Sequence, residues 1–145
     1  MRRKPRVLVV CTGNSMRSQI AEAVLRLDLG DHIEVFSAGT HPGSVHPLAI
    51  ETLTAIGYDA SRHRSKSVNE FLGTPMDLVI TVCDSAREAC PLFPGARRTV
   101  HKGYPDPFHS GSSGDMAEMM AEIRDRMRRE LRALVVKELN LDVTP

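Results

Sequence analysis

Apolar residues along this chain occur in short continuous runs and in helix-spaced stripes, and the two patterns alternate. The run "VLVV" (7–10) is typical of a strand that is buried on both faces of a parallel sheet. The runs "HIEVFSAG" (32–39) and "MDLVITVC" (76–83) predict two further strands, and the weaker run "ARRTVHK" (96–102) predicts a fourth.

Helical spacing of apolar positions predicts helices between and after these strands. The first runs from Ser18 to about Leu29 and ends before Gly30. The second begins at Pro47, and four apolar residues are expected on its buried face: Leu48, Ile50, Leu53 and Ile56. The segment "SVNEFL" (67–72) predicts a short helix capped by Ser67, with Glu70 at the capping-box position.

The last helix is predicted to be long, from Asp115 to about residue 137, after a glycine- and serine-rich loop "HSGSSGD" (109–115). Its methionine and aliphatic stripe is expected to face the core. Its charged residues, such as Arg124, Arg128 and Glu130, are expected to form a solvated face with local ion pairs.

Strands that alternate with helices predict an α/β fold with a parallel sheet that is covered by helices. The chain has 145 residues, shows no repeat or linker, and is expected to form a single domain over residues 1–145. A net charge of +1 argues against a nucleic-acid or membrane surface as the partner.

Cellular location is predicted from the N-terminus and the cysteines. The basic start "MRRKPR" precedes only four apolar residues, fewer than the ~7–15 of a signal peptide. Three cysteines do not suggest a secreted disulfide framework. We therefore expect a cytoplasmic protein, in which any disulfide is transient and catalytic.

The stretch "RVLVVCTGNSMRS" (6–18) carries the strongest chemical signal. Cys11 ends the first strand, and Arg17 follows six positions later where a helix begins. Backbone N–H groups at such a junction bind anions, and the position favours a cysteine thiolate. Gly13 is expected to allow close backbone approach or a positive φ. The predicted oxyanion-binding residues are Thr12, Gly13, Asn14, Ser15, Met16, Arg17 and Ser18.

An ordinary buried cysteine before a helix is the alternative interpretation of this stretch, but the wider sequence favours a site. "VLVVCTGNSMRSQIAEAVLR" resembles the phosphate-binding loop of the low-molecular-weight protein tyrosine phosphatases and of the thioredoxin-coupled arsenate reductases of the same fold. "FSAGT", "ITVCDSAREACPLFPG" and "HKGYPDP" extend the resemblance up to Pro107. The resemblance implies an α/β fold with a four-stranded parallel sheet flanked by helices on both sides.

Cys83 and Cys90 favour the reductase over the phosphatase. A phosphatase needs one nucleophile and water, whereas a reductase must deliver two electrons, which thiols can do by ending as a disulfide. Cys83 ends a predicted strand at the same sheet edge as Cys11. If Cys83 and Cys90 bond, the intervening segment must unwind, because two helical turns rise about 10.5 Å whereas a disulfide tolerates about 7 Å between Cα atoms.

The resemblance implies a stepwise mechanism in which arsenate is reduced to arsenite, a detoxification reaction. Cys11 attacks arsenate held by the loop and Arg17, and Asp106 in "YPDP" protonates the departing oxygen. Cys83 then attacks the adduct, and Cys90 takes the disulfide to an accessible segment that thioredoxin reduces. Asp106 as a turn residue between two prolines is the alternative for that position.

Two positions depart from the family pattern. Met16 occupies a loop position that is often a second cysteine in these reductases, and we expect the chemistry to survive this change. Some relatives bind potassium through residues matching Asn14, Glu22 and Ser37 together with an acidic residue. Here Lys66 lies near that last position, so no metal site is predicted.

No cofactor is predicted, because the chain has no dinucleotide fingerprint and its histidines lack metal-ligand spacing. The expected partners are arsenate, with phosphate or sulfate able to occupy the same loop, and thioredoxin as reductant. The expected state is a monomer. Two alternatives remain: a phosphatase for aryl phosphates, weakened by Phe108 where the phosphatases usually carry tyrosine, and a non-enzymatic oxyanion-binding redox module.

Overall fold

A computed structural model describes residues 3–83, 93–107 and 113–143, without the side chains of residues 113 and 114. Its elements, in chain order, are β1 (Arg6–Cys11), α1 (Arg17–Leu29), β2 (Glu34–Gly39), α2 (Pro47–Thr54), a 3₁₀ helix (Val68–Phe71), β3 (Leu78–Thr81), β4 (Thr99–His101) and α3 (Ser113–Leu139). All four predicted strands are present: β1 extends one residue beyond the predicted run at each end, and β2, β3 and β4 are one to three residues shorter at five of their six ends.

The four strands form one parallel sheet in the order β2-β1-β3-β4. Val10 of β1 pairs with Ala38 of β2 on one side and with Thr81 of β3 on the other. The carboxyl ends of β1, β2 and β3 therefore lie together at one edge of the sheet, which is where open α/β folds bind ligands.

Both faces of the sheet are covered, as the sequence predicts. Val7 and Val9 of β1 belong to the larger core, which contains residues of α1, α2 and α3. Leu8 and Val10 point to the opposite face, where the 3₁₀ helix and Phe93 cover them in the part of the chain that is described. The central strand is thus buried on both faces, as its continuous apolar run requires.

The inward stripe of α3 is confirmed. Five of its apolar side chains at helical spacing are fully buried: Met120, Ile123, Met127, Leu131 and Val135. Most of the glycine- and serine-rich loop (109–112) lies outside the described residues, and Ser113 already belongs to α3. None of the helices in the described ranges has a stretch long and apolar enough to cross a membrane.

Two local predictions are wrong. In α2 the error is at Ile50, which is 39 % exposed while Ala49 and Thr52 are buried; Leu53 is buried, and Leu48 and Ile56 pack against the core, as predicted. The Glu70 carboxylate pairs with the Arg64 guanidinium at 2.6 Å and 3.0 Å rather than closing a capping box, because a charged partner competes for it. The hydroxyl of Ser67 does cap the 3₁₀ helix, by accepting from the backbone N–H of Asn69.

Candidate active site

The segment between β1 and α1 turns around the sulfur of Cys11. The Sγ atom accepts from the backbone N–H of Asn14 at 3.2 Å and lies 2.9 Å from the Oγ of Ser18. Cys11 is buried and free. A backbone N–H and a hydroxyl directed at one sulfur stabilise negative charge on it, which suits a nucleophile.

Asn14 holds the loop in shape. It has a φ of 49°, a left-handed conformation, whereas Gly13, for which a positive φ was one of two expected reasons, has none. Asparagine tolerates this region because its short amide can bond locally. The side-chain amide donates to the Oγ atoms of Ser18 and Ser37 at 2.7 Å and 3.0 Å, and its oxygen accepts from the Lys66 backbone N–H at 2.8 Å.

Arg17 and Asp106 meet the loop in one small cavity of about 230 Å³, lined by Cys11, Thr12, Gly13, Asn14, Ser15, Met16, Arg17 and Asp106. Sites for drug-sized ligands measure roughly 300–1,000 Å³, so this volume suits a small inorganic anion. The Arg17 Nη1 donates to the backbone carbonyl of Tyr104 at 3.1 Å, which holds the guanidinium beside the pocket. The structure thus brings together the predicted nucleophile, the predicted anion-binding residues and the predicted general acid.

Cys83 lies where the sequence predicts, at the edge that carries Cys11. The backbone N–H of Val82 donates to the carbonyl of Val10 at 3.0 Å, so the strand next to β1 continues to this point. Cys83 is fully buried and is disulfide-bonded, whereas Cys11 is free. Cys90 lies outside the described residues, so its predicted pairing and the predicted unwinding remain predictions.

Behind the loop, Glu22 is the centre of a buried polar network. Its carboxylate accepts from the hydroxyl of Ser37 at 2.5 Å and from Arg26 at 2.6 Å. The ammonium of Lys66 lies 3.8 Å from the same carboxylate. Burial lowers the pKa of Lys66, and the charge of Glu22 opposes that shift.

Potassium does not fit this arrangement. The chain already supplies two positive charges next to the Glu22 carboxylate, from Lys66 and Arg26. A potassium ion beside this carboxylate would be repelled by both. No cluster of three or more histidine, cysteine or acidic side chains that could hold a metal occurs within the described ranges.

Gln19 and His63 are members of the site's supporting network that the sequence did not reveal. The Gln19 amide donates to both the backbone and the side-chain oxygen of Asn14 at 3.0 Å. His63 bonds Gln19 at 2.8 Å and Tyr58 at 2.7 Å. Burial lowers the pKa of His63. Nothing in the sequence indicates that His63 contacts Gln19, because the two residues are 44 positions apart and form no known motif.

A larger cleft of about 690 Å³ lies on the far side of this network, next to Arg26, Tyr58, Arg62 and Phe71. It contains neither Cys11 nor Arg17. Its size alone does not make it the reactive centre, because the predicted nucleophile, the predicted anion-binding loop and the predicted acid all line the smaller cavity.

A parallel α/β sheet whose first strand ends at a cysteine, with the following loop, an arginine and an aspartate lining one small cavity, indicates an enzyme of the phosphatase-like fold. Residues 6–144 match the family described as low molecular weight phosphotyrosine protein phosphatase. The chain belongs to this family.

Named relatives include both reductases and a phosphatase. Arsenate reductase 1 of Staphylococcus epidermidis is 36 % identical over 132 residues, covering 91 % of this chain and 93 % of that protein. The thioredoxin-dependent arsenate reductase of Corynebacterium glutamicum superposes with a TM-score of 0.68 at 30 % identity, over 92 % of this chain and 63 % of that one. The arginine phosphatase YwlE, found in Bacillus subtilis, gives a TM-score of 0.71 at 25 % identity, over 95 % and 97 %.

Proposed function

We propose that this protein reduces arsenate to arsenite through a relay of Cys11, Cys83 and Cys90, with thioredoxin as the electron donor. The observation that carries the proposal is the state of the sulfurs at one sheet edge. Cys83 is disulfide-bonded, while Cys11 is a free thiol inside the anion cavity. A redox-competent sulfur next to the nucleophile's strand is what reduction needs and hydrolysis does not.

In the proposed first step, the Cys11 thiolate attacks arsenic(V), and Asp106 gives a proton to the oxygen that leaves as water. Arg17 and the loop N–H groups balance the oxyanion charge. Cys83 then attacks the Cys11 sulfur: an S–S bond forms, the S–As bond breaks, and its electron pair stays on arsenic, which leaves as arsenite. Arsenic gains two electrons, and two thiols lose them.

In the proposed second stage, Cys90 attacks the Cys83 sulfur, which releases Cys11 and moves the disulfide to Cys83–Cys90. A thioredoxin dithiol reduces this bond and becomes a disulfide itself. The proposal places the reaction in the cytoplasm, because a thioredoxin pool keeps thiols reduced there. The relatives named arsenate reductase, one of them thioredoxin-dependent, support this assignment.

Phosphate-ester hydrolysis is the second candidate, favoured by the family match and by the arginine phosphatase among the structural neighbours. Cys11, Arg17 and Asp106 would have the same roles, with water as the second nucleophile.

One experiment separates these candidates. NADPH oxidation is followed with arsenate, thioredoxin and thioredoxin reductase, and hydrolysis of an aryl phosphate is followed in parallel. We expect arsenate turnover that disappears in Cys83→Ser and Cys90→Ser, while Cys11→Ser loses both activities. Fast ester hydrolysis that is indifferent to Cys83→Ser and Cys90→Ser would instead assign a phosphatase, and neither activity would assign a binding module.

A further inference from the structure

The segment that follows β4 reaches the anion cavity at two points. The backbone carbonyl of Tyr104 accepts from Arg17 Nη1 at 3.1 Å, within the buried part of the site. Two residues later, Asp106 lines the same cavity. Any shift of Tyr104 would therefore move the group that orients the guanidinium and the carboxyl that supplies the proton.

The side chain of Tyr104 is locked on the opposite side, away from the cavity. It is 1 % exposed, and its hydroxyl donates to Glu130 Oε1 of α3 at 2.8 Å. The Lys102 ammonium lies 5.6 Å from the ring centre, and the Arg126 guanidinium lies 5.0 Å from it. Both distances are within the range in which a cation is attracted to an aromatic face.

Glu130 closes this cluster. Its carboxylate lies 3.4 Å from Lys102 Nζ through one oxygen and 3.4 Å from Arg126 Nε through the other. Glu130 thus pairs with both cations that lie over the Tyr104 ring, and it also accepts the hydrogen bond from the Tyr104 hydroxyl. Burial and the hydrogen bond to Glu130 raise the pKa of Tyr104, so the phenol remains a neutral donor.

Helix α3 is itself fixed to the rest of the fold. Arg128 forms a bidentate pair with Asp28 of α1 at 2.8 Å and 3.2 Å. Arg124 donates to the backbone carbonyl of Thr52 in α2 at 2.9 Å. The Tyr104–Glu130 contact therefore ties the cavity segment to a rigid support rather than to a loose surface helix.

We propose that Tyr104 is a positioning residue for the Cys11 cavity, which acts by fixing its own carbonyl against Arg17 and by fixing the segment that carries Asp106. Glu130 is the residue through which α3 holds it. The inference rests on the proposed function for its catalytic readout, but its effect on anion binding stands on the contacts alone.

The test compares Tyr104→Phe, Glu130→Ala and Glu130→Gln with wild type. Phosphate affinity is measured from its protection of Cys11 against alkylation by iodoacetate, and kcat and KM are measured with arsenate, all well below the melting temperature. Asp77→Ala is the matched control, because it removes the acceptor of the Arg6 backbone N–H at the opposite edge of the sheet and leaves the Tyr104 cluster and the Arg128–Asp28 pair untouched.

We expect Tyr104→Phe and Glu130→Ala to bind phosphate several-fold more weakly and to lose about 10-fold in kcat, since small misplacements of reacting groups are costly. Glu130→Gln keeps an oxygen that accepts from the phenol and should retain most of the wild-type values. Asp77→Ala should lower the melting temperature and leave phosphate affinity and kcat unchanged.

Wild-type phosphate affinity and kcat in Tyr104→Phe would overturn the proposal, even with a lowered melting temperature. An Asp77→Ala variant that loses phosphate affinity to the same extent would also overturn it, since the effect would then reflect stability alone. If wild type does not reduce arsenate, the proposed function fails, whereas the alkylation measurement still decides the role of Tyr104.

Discussion

At the scale of single residues, Gly39 packs directly against the backbone of the loop between β1 and α1. A Cβ atom at this position would lie 2.5 Å from the carbonyl oxygen of Thr12 and 2.9 Å from the backbone nitrogen of Asn14. Both neighbours are backbone atoms, so they cannot move aside without deforming the loop. The end of β2 thus requires glycine for a reason that belongs to the site.

The substitution Gly39→Ala should destabilise the protein by about 1–3 kcal/mol, as overpacking does elsewhere. It should also weaken phosphate binding, because the loop N–H groups are displaced. Chemical unfolding and phosphate protection of Cys11 measure the two effects. Gly43→Ala is the control, since nothing lies within 4 Å of its Cβ position, and an equal loss there would contradict the steric argument.

His63 makes stability depend on pH. Burial holds its pKa below the ordinary value in the folded state, whereas the unfolded chain takes up a proton near pH 6.5. The unfolded state then binds more protons, so this residue's contribution is present above about pH 6.5 and is lost as the pH falls below it.

The free energy of unfolding of wild type, measured in urea at pH 7.5 and 5.5, should therefore fall more than that of His63→Gln. Glutamine is the matched variant because it can bond Gln19 or Tyr58 without titrating in this range. Parallel losses in both proteins would show that other groups cause the pH dependence.

The network around Glu22 predicts indifference to potassium. Lys66 and Arg26 already supply positive charge next to the carboxylate. Arsenate reduction should run at the same rate in potassium and sodium chloride of equal concentration. A rate that rises only with potassium would contradict the placement of the Lys66 ammonium.

At the scale of elements, α3 contributes a stripe of buried apolar side chains to the larger core. Leu131 is fully buried in that core, and Arg132, its neighbour along the chain, is exposed. Leu131→Ala should cost about 2–5 kcal/mol of unfolding free energy, whereas Arg132→Ala should change it by at most about 0.5 kcal/mol. Denaturant melts test this, and equal effects would contradict the orientation of α3.

The pattern of apolar positions was sufficient to predict the strands and the inward face of α3. A strand buried on both faces needs a continuous apolar run, and a helix with one buried face needs apolar residues every three or four positions. The same pattern placed Ile50 on the buried face, whereas α2 turns Ala49 and Thr52 toward α1 and α3. Contacts with helices that are distant in sequence cannot be deduced from the apolar spacing within α2. Arg128 and Glu130 looked like members of a solvated face. Their partners, Asp28 and Tyr104, are distant in sequence.

The site followed a similar division. That Cys11, Arg17 and Asp106 would lie together could be predicted, because the chemistry expected of them is restricted to few residue types. Asn14 was expected to hold the loop, but its left-handed conformation was not expected, since a positive φ was considered only for Gly13. Tyr104 went unnoticed, since its contribution is made by a backbone carbonyl and depends on Glu130.

At the scale of the whole molecule, the parallel sheet brings together two sulfurs that are far apart in sequence. Cys11 ends β1, and Cys83 follows β3, the neighbouring strand, at the same edge. In the proposed relay, strand order determines which thiol can reach Cys11, while the loop, Arg17 and Asp106 bind the oxyanion that Cys11 attacks.

The most direct test of the relay is a single turnover of reduced protein with arsenate and no external reductant, followed by acid quenching, alkylation of free thiols and peptide mapping by mass spectrometry. We expect one arsenite per chain and an equal amount of the Cys83–Cys90 disulfide, with Cys11 recovered in alkylated form because it ends the turnover as a free thiol. Arsenite formed while Cys83 and Cys90 are both recovered alkylated would contradict it.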